Sequence, residues 1–77
     1  MEYRYDDVDK ILGFTTWSDN KKISELFRID SYMYTELGKD STKTERDNVR
    51  KKSRYIYRAI HKIDAKLGKE LIHHIDL

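Results

Sequence analysis

The chain has no cysteine and no proline, and only three of its 77 residues are glycine. Without cysteine it can form neither a disulfide nor a Cys-containing zinc site, so two usual supplements to a thin core are excluded. A domain of this length buries only about 60% of the surface of its unfolded chain, which leaves a partner, or a second copy of the chain, as the remaining supplement. The lack of proline removes the strongest helix breaker. Gly13, Gly38 and Gly68 stand 25 and 30 residues apart and divide the chain into segments of helix length. No apolar run approaches the roughly 20 residues of a membrane span, and no basic-then-apolar leader follows Met1. We therefore expect a soluble, cytoplasmic, single domain over residues 1–77, with no membrane partner. With 39% charged residues the expected class is all-α, a small three-to-four-helix domain with a long C-terminal helix.

Catalytic equipment is missing as well. The sequence has no Gly-rich phosphate loop and suggests no Ser/His/Asp or Cys/His arrangement. His73 and His74 are adjacent, so on a helix they point about 100° apart and make poor co-ligands. His61 and Asp64 have i, i+3 spacing, which is far more often a surface pair than a metal site. Asp6, Asp7 and Asp9 suit a helix start better than a divalent-cation site. No enzymatic activity, metal or cofactor is expected.

What is present is charge, unevenly placed. Residues 1–40 carry six Lys/Arg against nine Asp/Glu, whereas residues 41–77 carry ten against five. The net charge of +2 thus conceals halves of −3 and +5. A sign change within so small a domain suits one face to a polyanion, although a solvated helix with a Lys/Arg surplus has the same pattern. Six tyrosines are also many for this length, and Tyr is an efficient interface residue.

The apolar spacing locates the helices. Val8, Ile11 and Leu12 follow the Asp6-Asp7 pair at i, i+3, i+4, with Gly13 as the stop. Phe14 and Trp17 are candidate core anchors in the connector that follows. Ser18-Asp19-Asn20 forms a second capping cluster before Ile23, Leu26, Phe27, Tyr32, Met33 and Leu37. Asp30-Ser31 interrupts that stripe, so the segment is either one helix over about 19–37 or two short helices meeting at residues 29–31. Lys39-Asp40-Ser41-Thr42 is a loop. From Thr44 the stripe Val49, Ser53, Ile56, Ile60, Ile63, Leu67 predicts a 24-residue helix stopped by Gly68, about 36 Å long. Its alternating four- and three-residue steps are those of a coiled-coil seam, so part of it is a candidate homodimer surface; the alternative is a compact monomer.

The stretch Lys22-Ile23-Ser24-Glu25-Leu26-Phe27-Arg28-Ile29-Asp30-Ser31-Tyr32-Met33-Tyr34-Thr35-Glu36-Leu37 resembles the helix-turn-helix of bacterial and phage DNA-binding proteins. The resemblance implies that Ile23, Leu26 and Phe27 pack the first helix, Ile29 fills the turn, and Asp30 caps a second helix lying in the major groove. It implies Met33 and Leu37 on the inner face of that helix, and Ser31, Tyr32, Tyr34 and Thr35, with Lys39 at the margin, toward bases. The chain departs from the pattern with Arg28 where the turn glycine is usual, and with Glu36 near phosphate.

A second candidate surface is independent of that resemblance. Lys43, Arg46, Arg50, Lys51, Lys52, Arg54 and Arg58 crowd the start of the long helix, with Arg46, Arg50, Arg54 and Arg58 at i, i+4, i+8, i+12. Such a row suits successive phosphates, and Tyr55 and Tyr57 beside it suit stacking on bases or donation to phosphate. The plainer account pairs Arg46 and Arg50 with Glu45, Asp47 and the acidic N-terminal segment, for a few tenths of a kcal/mol each. The expected function is a small non-enzymatic DNA-binding regulator, with double-stranded DNA as first partner. The alternative is a protein–protein adaptor or inhibitor that holds an acidic host factor, with a structural assembly subunit as a weaker third.

Overall fold

The computed structural model describes residues 3–75, and among them every regular element is helical. A 3-10 turn, Tyr5–Asp7, leads into a short helix α1, Val8–Leu12. Helix α2 spans Asp19–Thr35, α3 spans Lys43–Ile63 and α4 spans Ala65–Ile75. The all-α expectation is met.

Local chemistry sets the ends. The Ser18 hydroxyl accepts from the Lys21 amide at 3.2 Å and starts α2, as its capping cluster foretold. Thr42 does the same for α3 with the Glu45 amide at 3.1 Å, two residues before the start expected at Thr44. Residues 36–42 return α3 along α2. Leu26 and Ile29 of α2 then meet Ile56, Ala59 and Ile60 of α3, and Val8 and Ile11 of α1 complete the buried apolar set. Burying such side chains stabilises by roughly 1.5–3 kcal/mol each. The Cα envelope measures 40 × 31 × 14 Å, a slab with few buried residues for its area.

Two expectations are corrected. The 24-residue helix does not form: α3 ends at Ile63, and Asp64 adopts an extended backbone at φ −137°, ψ 99°. The Asp64 carboxylate accepts from the Leu67 amide at 3.1 Å, so it begins α4. Gly68 is therefore no stop. It is buried inside α4, where a Cβ would lie 2.3 Å from the His61 Cα. Glycine is what lets α4 fold back onto α3. Because the helix breaks, the proposed coiled-coil stripe is divided between two helices. Ser53, Ile56 and Ile60 are fully buried within one chain, and Ile63 and Leu67 pack against the same core.

The second correction concerns the interrupted stripe of residues 22–37. Of the two arrangements that the sequence allowed, the single helix forms, and residues 29–31 hold no turn. Asp30 neither caps a helix nor sits at an edge. It is 7% exposed and accepts hydrogen bonds from Ser53 Oγ at 2.5 Å and Tyr57 Oη at 3.0 Å. A buried carboxylate needs such partners. Arg28, the residue in the glycine position of the resemblance, is mid-helix, donating to Glu25 Oε1 and to the Tyr3 carbonyl oxygen at 2.6 Å. It ties the N-terminal segment to α2. Tyr3, Phe14 and Trp17 stack around that tie with ring centroids 4.8–5.8 Å apart, half-buried against the core, and the Lys21 ammonium lies 4.4 Å from the Trp17 ring.

Candidate functional site

The core-facing arc of α3 carries Ser53, Ile56, Ala59 and Ile60. At about 100° per residue, the opposite arc carries Lys43, Asp47, Arg50, Lys51, Arg54 and Arg58. Lys43, Arg46, Arg50, Lys51 and Arg58 are exposed, and Arg54 is half-buried. Every residue from Thr42 to Asn48 is exposed, so the first two turns of α3 extend past the cover that α2 provides.

Four-residue steps on a helix drift by about 40°, so Arg46 and Arg58 point about 120° apart. The row expected along one side is thus a spiral. Its N-terminal end faces α2, where Arg46 and Arg50 line an open groove of about 450 Å³ together with Asp47, Tyr34 and Leu37. At its C-terminal end Arg58 lies by Leu12, Tyr55, Ala59 and Lys62 in a smaller recess of about 150 Å³.

The residues of α2 singled out by the resemblance, Ser31, Tyr32, Tyr34 and Thr35, are all exposed and spread over about 160° of the helix's outward arc. Tyr32 and Tyr34 are both exposed but point about 160° apart on a continuous helix. Tyr34 joins Arg46 and Arg50. Tyr32 lines a different cleft, of about 260 Å³, with Tyr3, Arg4, Tyr5, Asp6, Ile29, Met33, Glu36 and Lys52. Ser31 and Thr35 are exposed, and the Thr35 hydroxyl donates to the Ser31 carbonyl oxygen at 2.8 Å. Met33 and Leu37 are half-buried, and Lys39 is exposed in the loop.

Tyr55 and Tyr57, expected beside the row as partners for bases or phosphate, both make hydrogen bonds within the chain, Tyr55 while exposed and Tyr57 half-buried. Tyr55 donates to Asp9 Oδ1 and sets its ring edge-to-face on Tyr5, 5.8 Å between centroids. The Asp9 hydrogen bond, some burial and nearby negative charge raise its pKa above the ordinary 10.0. Tyr57 is half-buried; burial, the Asp30 hydrogen bond, and the charges of Asp30 and Tyr34 raise its pKa, against a lowering by the Ser53 hydrogen bond. A chain of polar side chains, Ser53, Asp30 and Tyr57, thus bridges α2 and α3. Asp30 was the residue with the least legible role, because a carboxylate between Ile29 and Ser31 has the signature of a cap. Its spacing from Leu26 (i, i+4), on the inward face of one continuous helix, is the signal that could have marked it as interior.

No protein-family model, curated protein or solved structure matches this chain.

Proposed function

We propose that this is a small non-enzymatic DNA-binding protein of the regulator kind, which grips the phosphate backbone with the outer face of α3. The observation that carries the reading is the set of exposed cations Lys43, Arg46, Arg50, Lys51 and Arg58 on one helix, on the arcs that the core does not use. Asp47 lies among them, while Glu45 lies on the other flank with Asn48, Val49 and Lys52. Neutralising phosphates with such side chains releases counterions and supplies affinity without sequence information. Duplex DNA is the first partner because a helix fits the major groove, about 12 Å wide, and every residue from Thr42 to Asn48 at the start of α3 is exposed. The reading rests on α3 and needs no separate reading helix in α2.

Titration of duplex DNA by the full chain at two salt concentrations tests it. The logarithm of the binding constant should fall with log salt by about 0.9 for each phosphate neutralised. Replacing Arg50 and Lys51 with Ala should reduce that slope by about 1.8 and weaken all sequences alike, with the helical circular dichroism unchanged. Absence of binding at low salt refutes the reading.

A second reading, a protein–protein adaptor that holds an acidic partner, is favoured by the cleft at Tyr3, Tyr5, Tyr32 and Met33, where the cations Arg4 and Lys52 stand beside aromatic side chains.

A further inference from the structure

The groove between the end of α2 and the start of α3 unites two chemistries that duplex binding does not require together. Tyr34 is 43% exposed, so much of its phenol ring is open to solvent. Arg46 and Arg50 of α3 line the same groove as Tyr34, with Leu37 and Asp47 completing the lining. The groove's volume of about 450 Å³ exceeds that of a single nucleobase, and it is open along one side, so a chain can enter and leave it. An aromatic ring can stack on any base once that base is unpaired, and adjacent cations then meet the flanking phosphates. In a duplex both faces of each base are already stacked, so an exposed tyrosine beside the helix gains little.

We infer that the Tyr34–Arg46–Arg50 groove is a nucleotide subsite for single-stranded nucleic acid, in which an unpaired base stacks on Tyr34 and its flanking phosphate meets Arg46 and Arg50. The inference rests on the reading that α3 binds nucleic acid and adds one contact that only an unpaired strand can make. Leu37 excludes water from the inner edge of the base. Asp47 opposes the phosphate and holds affinity down, while its oxygens can accept from an exocyclic amino group.

The test uses the full chain and two fluorescent probes, a 12-nucleotide oligothymidylate and a 12-base-pair duplex, at low salt with anisotropy as the readout. The unsubstituted protein should bind both probes. Tyr34→Ala should weaken binding to the single strand at least fivefold, as loss of one stacked base does, and change duplex binding less than twofold. Tyr34→Phe, which keeps the ring, should retain single-strand affinity. Arg46→Ala should weaken both probes. If the protein binds both probes but Tyr34→Ala leaves single-strand affinity unchanged, the subsite is overturned while the α3 reading stands. If it binds neither probe, both are overturned. An unchanged helical signal in each variant keeps misfolding from imitating the expected loss.

Discussion

At the scale of single residues, the most consequential side chain is Asp30. It is buried on the inward face of α2, and its two carboxylate oxygens take hydrogen bonds from Ser53 and Tyr57 across the α2–α3 interface. Removing an acceptor strands its donors: Asp30→Ala should cost roughly 1–3 kcal/mol, most of it from the unpaired Ser53 and Tyr57 hydroxyls. For a domain of this size that lowers the melting temperature by about 4–8 °C per kcal/mol. The discriminating measurement is a double-mutant cycle by thermal unfolding. Asp30→Ala and Ser53→Ala together should cost less than the sum of the two alone, because residues sharing a hydrogen bond are not independent. Strict additivity would show that the pair contributes nothing beyond its separate groups. This residue also explains why a serine occupies the most buried stripe of α3, where Val49 and Ile56 would otherwise suggest an aliphatic neighbour.

At the scale of elements, the corner between α3 and α4 decides the shape of the molecule. Asp64 ends one helix and caps the next, and Gly68 allows the second helix to lie against the first at His61. A methyl group there would meet main-chain and Cβ atoms of His61 at 2.3–2.6 Å, and main chain cannot yield as a flexible side-chain tip can. Gly68→Ala improves intrinsic helix propensity by about 1 kcal/mol, yet it should destabilise the protein, since overpacking of this kind costs about 1–3 kcal/mol or more. Amide hydrogen exchange should show faster exchange concentrated in residues 65–75, with the α2–α3 interior protected. A stabilised Gly68→Ala protein would mean that the two helices are not so close.

At the scale of the whole molecule, the slab form sets what stays exposed and what is buried within one chain. Helix α3 is covered by α2, α1 and α4 on separate sides and still exposes its first two turns, because a layer 14 Å thick cannot enclose it. The apolar stripe that the sequence offered as a dimer seam is already used. Ile56 and Ile60 have no exposed surface, so pairing two chains through them would require opening the core. Sedimentation equilibrium at tens of micromolar should therefore give a monomer mass, and Ile56→Asp should unfold the chain rather than dissociate an assembly. A stable dimer whose mass survives dilution would show that a different surface, such as the half-buried edge of α4, pairs two copies.

Much of the helical framework was determined by the sequence alone. Spacing of Val8 and Ile11, of Leu26 and Ile29, and of Ile56 and Ile60 marked the buried faces, and Ser18 marked a helix start, because periodicity and capping are local properties that each segment carries by itself. The charge division between the halves was equally legible, as was the crowding of cations on what became α3. Tertiary structure decided the rest. Whether Asp30 caps a second helix or lies inside one depends on Ser53 and Tyr57, which are 23 and 27 residues away. Whether the chain runs straight through Asp64 or turns depends on the gain from docking Leu67 and Leu71 on the core, against one interrupted helical turn. The pairing of Tyr34 with Arg46 and Arg50 had the same origin, since it required the loop of residues 36–42 to return one helix along the other. Local pattern specifies which face of a helix is apolar; only packing specifies what covers that face and what stays open beside it.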